Sequence, residues 1–361
     1  MHCAVESRAH PWQYGRMNET IELGLDTFGD ITDGADGKPL HAAQVIRNLV
    51  EEAVLADQVG VDFIGVGEHH RADFAVSSPE MVLAAIASRT RRIRLGSAVT
   101  VLSSDDPIRV FQRFSTLDAV SNGRAEVILG RGSFIESFPL FGFDLNQYEE
   151  LFNEKLDLFA AVLAQQPVTW HGTKRPPLNN QSVYPKTQSG RLTTWVGVGG
   201  TPQSAMRAAH YGLPMMLAII GGDPRHFVPF TDLYRGALKE NGKPALPVGV
   251  HSHGYVAETD EQAKDDLFAD YKRMRDKIGA ERGWPPLTRG DFEREIARGS
   301  LYAGSPETVA RKIAATVKIL GASRFDMKYS AGPLSHEKMM RSIELYGRKV
   351  IPLVRQMLTP A

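Results

Sequence analysis

Gly60-Val-Asp-Phe-Ile-Gly-Val-Gly67 runs directly into Glu68-His69-His70. Upstream, residues 42–59 carry apolar side chains at helical spacing, among them Leu49, Ala53, Ala56 and Val59, and Gly60 stops that helix. Residues 63–67 form a short, wholly apolar run, as expected of a strand covered on both faces, and a polar turn follows. Helix, glycine, buried strand and polar turn together make the unit from which parallel sheets with crossover helices are built.

The same unit recurs on both sides. Strands are predicted at residues 21–27, 63–67, 93–101, 125–129, 194–198, 215–219, 248–256 and 325–328, and helices at 42–59, 79–90, 107–121, 147–164, 202–210, 226–241, 306–320 and 337–357. Eight strands each followed by a helix predict an α/β fold, a (β/α)8 TIM barrel, because a closed ring leaves no sheet edge exposed. A doubly wound open sheet is the alternative. Two connections exceed ordinary loop length: 167–192, with Pro167, Pro176, Pro177 and Pro185, and 258–303, where a charged helix over 260–278 lies among Gly- and Pro-bearing loops. Both are expected to serve as lids. Residues 1–16 are polar and patternless, so 1–17 read as a flexible N-terminal extension and 18–361 as a single barrel domain with insertions.

Composition narrows the function classes. Of 361 residues, 42% are hydrophobic and 23% charged, which fits a soluble globular chain. Lys plus Arg number 42 and Asp plus Glu 42, so the net positive field of a dedicated nucleic-acid binder is missing, and no nucleic-acid partner is expected. The lone Cys3 excludes an internal disulfide framework and a Cys-based zinc site, and suits the cytoplasm. The longest apolar run, residues 215–220, falls far short of the roughly 18 residues of a membrane span.

In a barrel, chemistry gathers where strands end. Glu68, His69 and His70 put a carboxyl and two imidazoles at the second such end, and histidine exchanges protons near neutral pH. These groups, with His251 and His253 alternating on the seventh strand, are also the donor set of a possible metal site. Hydrogen bonding along the rim is the structural alternative. At the fourth strand end, Gly130-Arg131-Gly132 offers a guanidinium between two glycines, suited to a phosphate dianion; an arginine tied to a carboxylate would give the same sequence. The fifth strand leads through Gly199-Gly200-Thr201-Pro202-Gln203-Ser204 into a helix, with Thr201 placed as N-cap and Pro202 at the first helical position. Free amides and the helix dipole favour phosphate there. Gly304-Ser305-Pro306-Glu307 is a similar turn, assigned a structural role because Glu307 already complements the dipole.

The set resembles the bacterial luciferase-like monooxygenase family of flavin-dependent barrels. The resemblance rests on Gly60 to His70, on Leu95-Gly-Ser-Ala-Val-Thr-Val-Leu102 with Pro107-Ile-Arg109, on Leu117-Asp118 and Ser121-Asn-Gly-Arg124 leading to Gly130-Arg131-Gly132, and on Gly212-Leu-Pro-Met215. It implies reduced FMN across the barrel mouth, with His69 assisting proton transfer. It also implies that Arg131, Thr201 and Ser204, on the turn opened by Gly199 and Gly200, hold the phosphate, and that Ala98-Val99 form an often cis peptide under the flavin ring. Gly130 departs from the cysteine of luciferases, so light emission is not implied. The implied activity is an FMN-dependent monooxygenase acting with O2 on a small organic substrate, with a separate NAD(P)H:flavin reductase as a partner that would supply reduced flavin, and the implied assembly is a homodimer. The alternatives are an F420-dependent oxidoreductase, a metal-dependent hydrolase and a non-catalytic flavin-binding subunit.

Overall fold

The computed structural model of the protein describes residues 20–359. Eight parallel strands form the ring: β1 (Glu22–Thr27), β2 (Phe63–Val66), β3 (Arg94–Ser97), β4 (Ala125–Gly130), β5 (Thr193–Val198), β6 (Met215–Ala218), β7 (Val248–Val256) and β8 (Arg324–Lys328). Each pairs with the next, and β8 returns to β1 in the register Glu22 with Arg324 through Asp26 with Lys328, so the sheet has no free edge and the TIM-barrel expectation holds.

The helices are α1 (Ala42–Gln58), α2 (Pro79–Arg89), α3 (Pro107–Ser121), α4 (Tyr148–Leu163), α5 (Pro202–Tyr211), α6 (Val228–Glu240), α7 (Asp260–Arg282), α8 (Arg289–Arg298), α9 (Pro306–Leu320), α10 (His336–Leu345) and α11 (Ile351–Leu358). Their apolar faces cover the outside of the sheet and make the main core. The continuous helix expected over 337–357 is interrupted by a wide turn at Tyr346–Val350. Pro352 explains it: proline has no N–H for the preceding turn and crowds its carbonyl, and widening the turn relieves both. No helix among the described residues is long and apolar enough to cross a membrane.

Two expectations need correction. The strand predicted over 93–101 ends at Ser97; a cis peptide joins Ala98 to Val99, and Thr100–Val101 resumes the pairing against Leu129 and Gly130. The insertion 167–192 is not a lid. It joins a helix to the strand after it, so it emerges at the opposite end from the mouth, where Val168–Trp170 and Leu178–Gln181 form a hairpin fastened to α4 by Trp170 to Asp157 (2.8 Å) and Thr173 to Glu154 (2.7 Å). The insertion 258–303 follows a strand and therefore lies over the mouth. It contains a helix the sequence reading left as loop, α8, begun by a reciprocal Thr288–Asp291 capping box.

Inside the ring, Phe63, Ile128, Trp195 and Met216 form a small cluster. Arg324, wholly buried, lies across it, 3.6 Å above the Phe63 ring centroid. Its guanidinium donates to Glu126 (2.7 Å) and Asp326 (2.9 Å), and Trp195 donates to Glu126 (3.2 Å). Burial pushes the Asp326 carboxyl up to about 6 even though Arg324 pulls it down. This charged floor closes the barrel below the mouth.

Replacing Arg324 with methionine keeps volume but strands the buried Asp326 carboxyl and leaves Glu126 to Arg94 alone, so the free energy of unfolding should fall by about 3–5 kcal/mol. Urea denaturation checks this; adding Asp326→Asn should restore much of the loss.

Candidate active site

The mouth opens into a cavity of about 970 Å³, walled by the ends of the strands and roofed by α7 and the segment after it. Its size suits a large cofactor with a substrate beside it.

The Glu68-His69-His70 stretch splits in two. His69 enters the cavity wall among aromatic rings, 4.6 Å from Phe28, 4.3 Å from Phe74 and 5.4 Å from Phe134 between centroids. Burial in that apolar nest drives its pKa down to about 3; Lys328, His70 and Arg71 push the same way and Asp30 opposes them. His69 is therefore a neutral imidazole at physiological pH. His70 instead lies 2.9 Å from one oxygen of Glu68, whose other oxygen accepts the Val101 N–H at 2.8 Å. Glu68 thus ties the β2 rim to the chain beyond the cis peptide.

The donors considered for a metal do not converge. Glu68 is taken up by His70 and Val101, and His251 by Asp26 (2.7 Å), while the His253 ring packs edge-on between His251 and Tyr271. Among the described residues no three such side chains come together.

The cis Ala98–Val99 peptide lies in the wall between β2 and β4. A Cβ at Gly130 would come within 2.5 Å of a Val99 methyl, and one at Gly65 within 2.8 Å of the Ala98 Cβ. Glycine at 130, where luciferases carry cysteine, therefore matches the valine beside it.

The ends of β4 and β5 carry the next residues singled out in the sequence. Arg131 and Gly199 line the cavity, while Gly200, Thr201 and Ser204 continue the rim just outside it. Gly200 adopts φ +96°, which favours glycine, and so turns the chain into α5. Thr201 stands at the N-cap, but contrary to expectation its hydroxyl does not cap; it bonds the Ser204 hydroxyl at 2.7 Å. The comparable turn before α9 is filled by the chain itself: Ser305 caps Thr308, and Asp260 accepts from the Ser305 N–H (2.7 Å) and the Thr308 hydroxyl (3.0 Å). The structural role assigned to that second turn agrees with this geometry.

Arg131 stacks on Tyr148 and pairs with Glu149, so the carboxylate-bound alternative for this arginine is realised here. Arg207, which the sequence reading missed, reaches the other oxygen of Glu149 at 3.0 Å. Arg207 lies one helical turn beyond Ser204, and that i, i+3 spacing was its only signal. Two guanidiniums thus converge on one carboxylate beside a helix start whose N-cap hydroxyl is turned elsewhere.

The wall from β7, β8 and β1 is polar and was legible only in part. Besides His251 with Asp26 it carries Lys328, which donates to Asp30 (3.0 Å) and the Ser330 carbonyl (2.6 Å). The roof is clamped by charge: Arg71 bonds Glu281 of α7, Glu136 and Asp73 together, Lys277 pairs with Asp73, and Arg282 donates to the Ser133 carbonyl (3.1 Å). Those bonds make 258–303 the lid.

Comparison with known proteins follows the same lines. The chain is 30% identical over 351 residues to the 4-hydroxyprotoasukamycin monooxygenase of Streptomyces nodosus subsp. asukaensis, covering 89% of this chain and 92% of that one. Three solved structures share the fold. Monooxygenase RslO1 from Streptomyces bottropensis superposes with TM-score 0.81 at 24% identity, over 92% of this chain and 99% of that one. The oxygenating constituent of 3,6-diketocamphane monooxygenase from Pseudomonas putida, in complex with FMN, gives 0.73 at 19%, over 92% and 98%. The F420-dependent tetrahydromethanopterin reductase of Methanopyrus kandleri gives 0.67 at 19%, over 92% and 99%. Residues 27–324 match the luciferase-like monooxygenase family, and with most of its length so accounted for the chain belongs to that family.

Proposed function

We propose that this protein is an oxygenase that uses reduced FMN and O2 to oxidise a small organic substrate. The observation that carries the reading is the pair Arg131 and Arg207 converging on one carboxylate, at the start of α5 and beside the cis Ala98–Val99 wall. The residues present fit the cofactor. Two guanidiniums, the Thr201 and Ser204 hydroxyls and the dipole of α5 suit a phosphate dianion, with Glu149 occupying its place until it arrives. The apolar wall of Val99, Ile128 and Met216 suits a flat ring.

Reduced flavin, when bound, supplies the electrons that activate O2. The chain's own residues position, shield and offer a neutral imidazole. Gly65 and Gly130 leave room for the Ala98–Val99 peptide to form a flat support. The lid, held down through Arg71, keeps water from the reacting atoms. His69, neutral and reachable from the cavity, accepts a hydrogen bond; to take up or pass on a proton it needs a negative charge brought next to it, because its surroundings disfavour the imidazolium. The relative described as the oxygenating constituent of its system supports a separate NAD(P)H:flavin reductase as the source of reduced flavin.

Three measurements test the reading. Arg131→Ala should weaken FMN about 10- to 100-fold in a fluorescence titration while leaving riboflavin within about twofold, since only FMN presents the dianion; binding of F420 in place of FMN would move the assignment to the deazaflavin. Glu149→Gln removes the competing carboxylate and should tighten FMN severalfold, about three to ten, with the larger effect at low salt. His69→Ala should keep FMN binding and slow oxygen-dependent turnover by about 10²–10⁴-fold in steady-state assays; turnover at the wild-type rate would remove His69 from the mechanism, and FMN binding without any oxygen-dependent turnover would make the chain a non-catalytic subunit.

A further inference from the structure

Opposite the wall of β3 to β5, the polar face from β7, β8 and β1 has no task in the reading above. Its centre is a dyad. His251 Nδ1 lies 2.7 Å from an Asp26 oxygen, which puts the ring hydrogen on that nitrogen and leaves Nε2 with a lone pair. Nε2 makes no hydrogen bond to a described residue, and His251 lines the cavity. Phe28 stands between His69 and His251, 4.6 Å from the first and 5.9 Å from the second between centroids, so the dyad serves a different part of the space from His69.

We infer that His251, held by Asp26, is a second catalytic base and that the substrate is a mainly apolar molecule bearing an acidic hydroxyl, a phenol or enol, which His251 deprotonates. This rests on the oxygenase reading. The groups around the dyad choose the substrate class. On the strands around it the other titratable and charged side chains are His253 on its own strand, Asp326 and Lys328 on β8, and Asp30, to which Lys328 is already bonded; the roof adds Tyr271, Arg275 and Glu295. With Lys328 bonded to Asp30, the cation beside the dyad is not free to hold a substrate arriving as an anion. A neutral hydroxyl is admitted and ionises only by passing its proton on. An aliphatic alcohol is too weak an acid for an imidazole, whereas a phenol or enol lies within reach. The roof, with Met274, Ile278, Trp284 and Leu287, takes the apolar remainder.

The step balances without a redox partner. The substrate O–H bond breaks, an N–H bond forms at His251 Nε2, the electron pair stays on oxygen, and the imidazolium is compensated by Asp26. The product of the step is an oxyanion conjugated to carbon, which makes that carbon the electron-rich partner that oxygen transfer needs. Asp26 is a positioning residue: it fixes the tautomer and does not touch the substrate.

The full chain, with and without FMN, is titrated with 4-nitrophenol, whose absorbance reports its ionisation, and with 4-nitroanisole, which has no proton to give. At a pH below the probe's own pKa, the wild type is expected to bind 4-nitrophenol as the phenolate. His251→Gln should bind it as the neutral phenol, about ten- to a hundredfold more weakly, and Asp26→Asn should shift the bound spectrum the same way. Binding of 4-nitroanisole should change little in either variant, which shows that the cavity is intact. A neutral probe in the wild type, a phenolate in His251→Gln, or no binding of either probe overturns the inference. FMN binding in the same samples separates the two ideas: FMN bound with a neutral probe leaves the oxygenase reading standing, and an ionised probe without FMN does the reverse.

Discussion

The hydrogen bonds between β8 and β1 are the constraint on which the rest depends. They bring Arg324 to Lys328 beside Glu22 to Asp26, residues about three hundred positions apart, and convert a sheet with two edges into a ring. Once the ring closes, alternate residues of every strand point inward and each strand delivers its last inward side chain to the same mouth. On β8 these are Arg324 and Asp326, in the floor, and Lys328 above them toward the mouth. Asp26 is placed against His251 by the same closure.

Filling that interior sets the next requirement. A guanidinium, two carboxyls and an indole form the floor in place of aliphatic layers, and charge is tolerated there because each group answers another. Such a floor is polar on its upper side, which leaves a deep cavity above it. Glycines on neighbouring strands then give room for the Ala98–Val99 peptide to project between them, and this couples residue 130 to residue 99.

Around the mouth the chain meets several of its cations with carboxylates: Arg131 and Arg207 with Glu149, Lys328 with Asp30, and Arg71 with Glu136 and Glu281. At half-exposed positions these pairs contribute modestly to stability, about 0–1 kcal/mol each. Their effect is positional. Lys328 with Asp30 is buried and keeps the polar wall without a free positive charge, while Arg71 joins the rim, the loop after β4 and the lid at one point. Glu149, exposed by half, is the carboxylate of this set most easily displaced.

Much was written in the local sequence. Periodicity marked all eight strands, glycines and prolines marked where helices stop and start, and the motif set from Gly60 to Met215 pointed to the family, because those signals act between residues a few positions apart. His69 and Arg131 were legible as residues at strand ends, which a barrel turns into a mouth, whereas Ala98 and Val99 were singled out only through the family resemblance, inside a strand expected to run to residue 101. Only the folded chain decided which insertion became the lid, since that depends on whether it leaves a strand or a helix. It alone paired His251 with Asp26 across 225 positions, set Arg207 and Arg131 on Glu149, and sank His69 among phenylalanines. Contacts between distant strands and loops leave no periodic trace in sequence. They are fixed by ring closure and by the exclusion of water from the cavity wall.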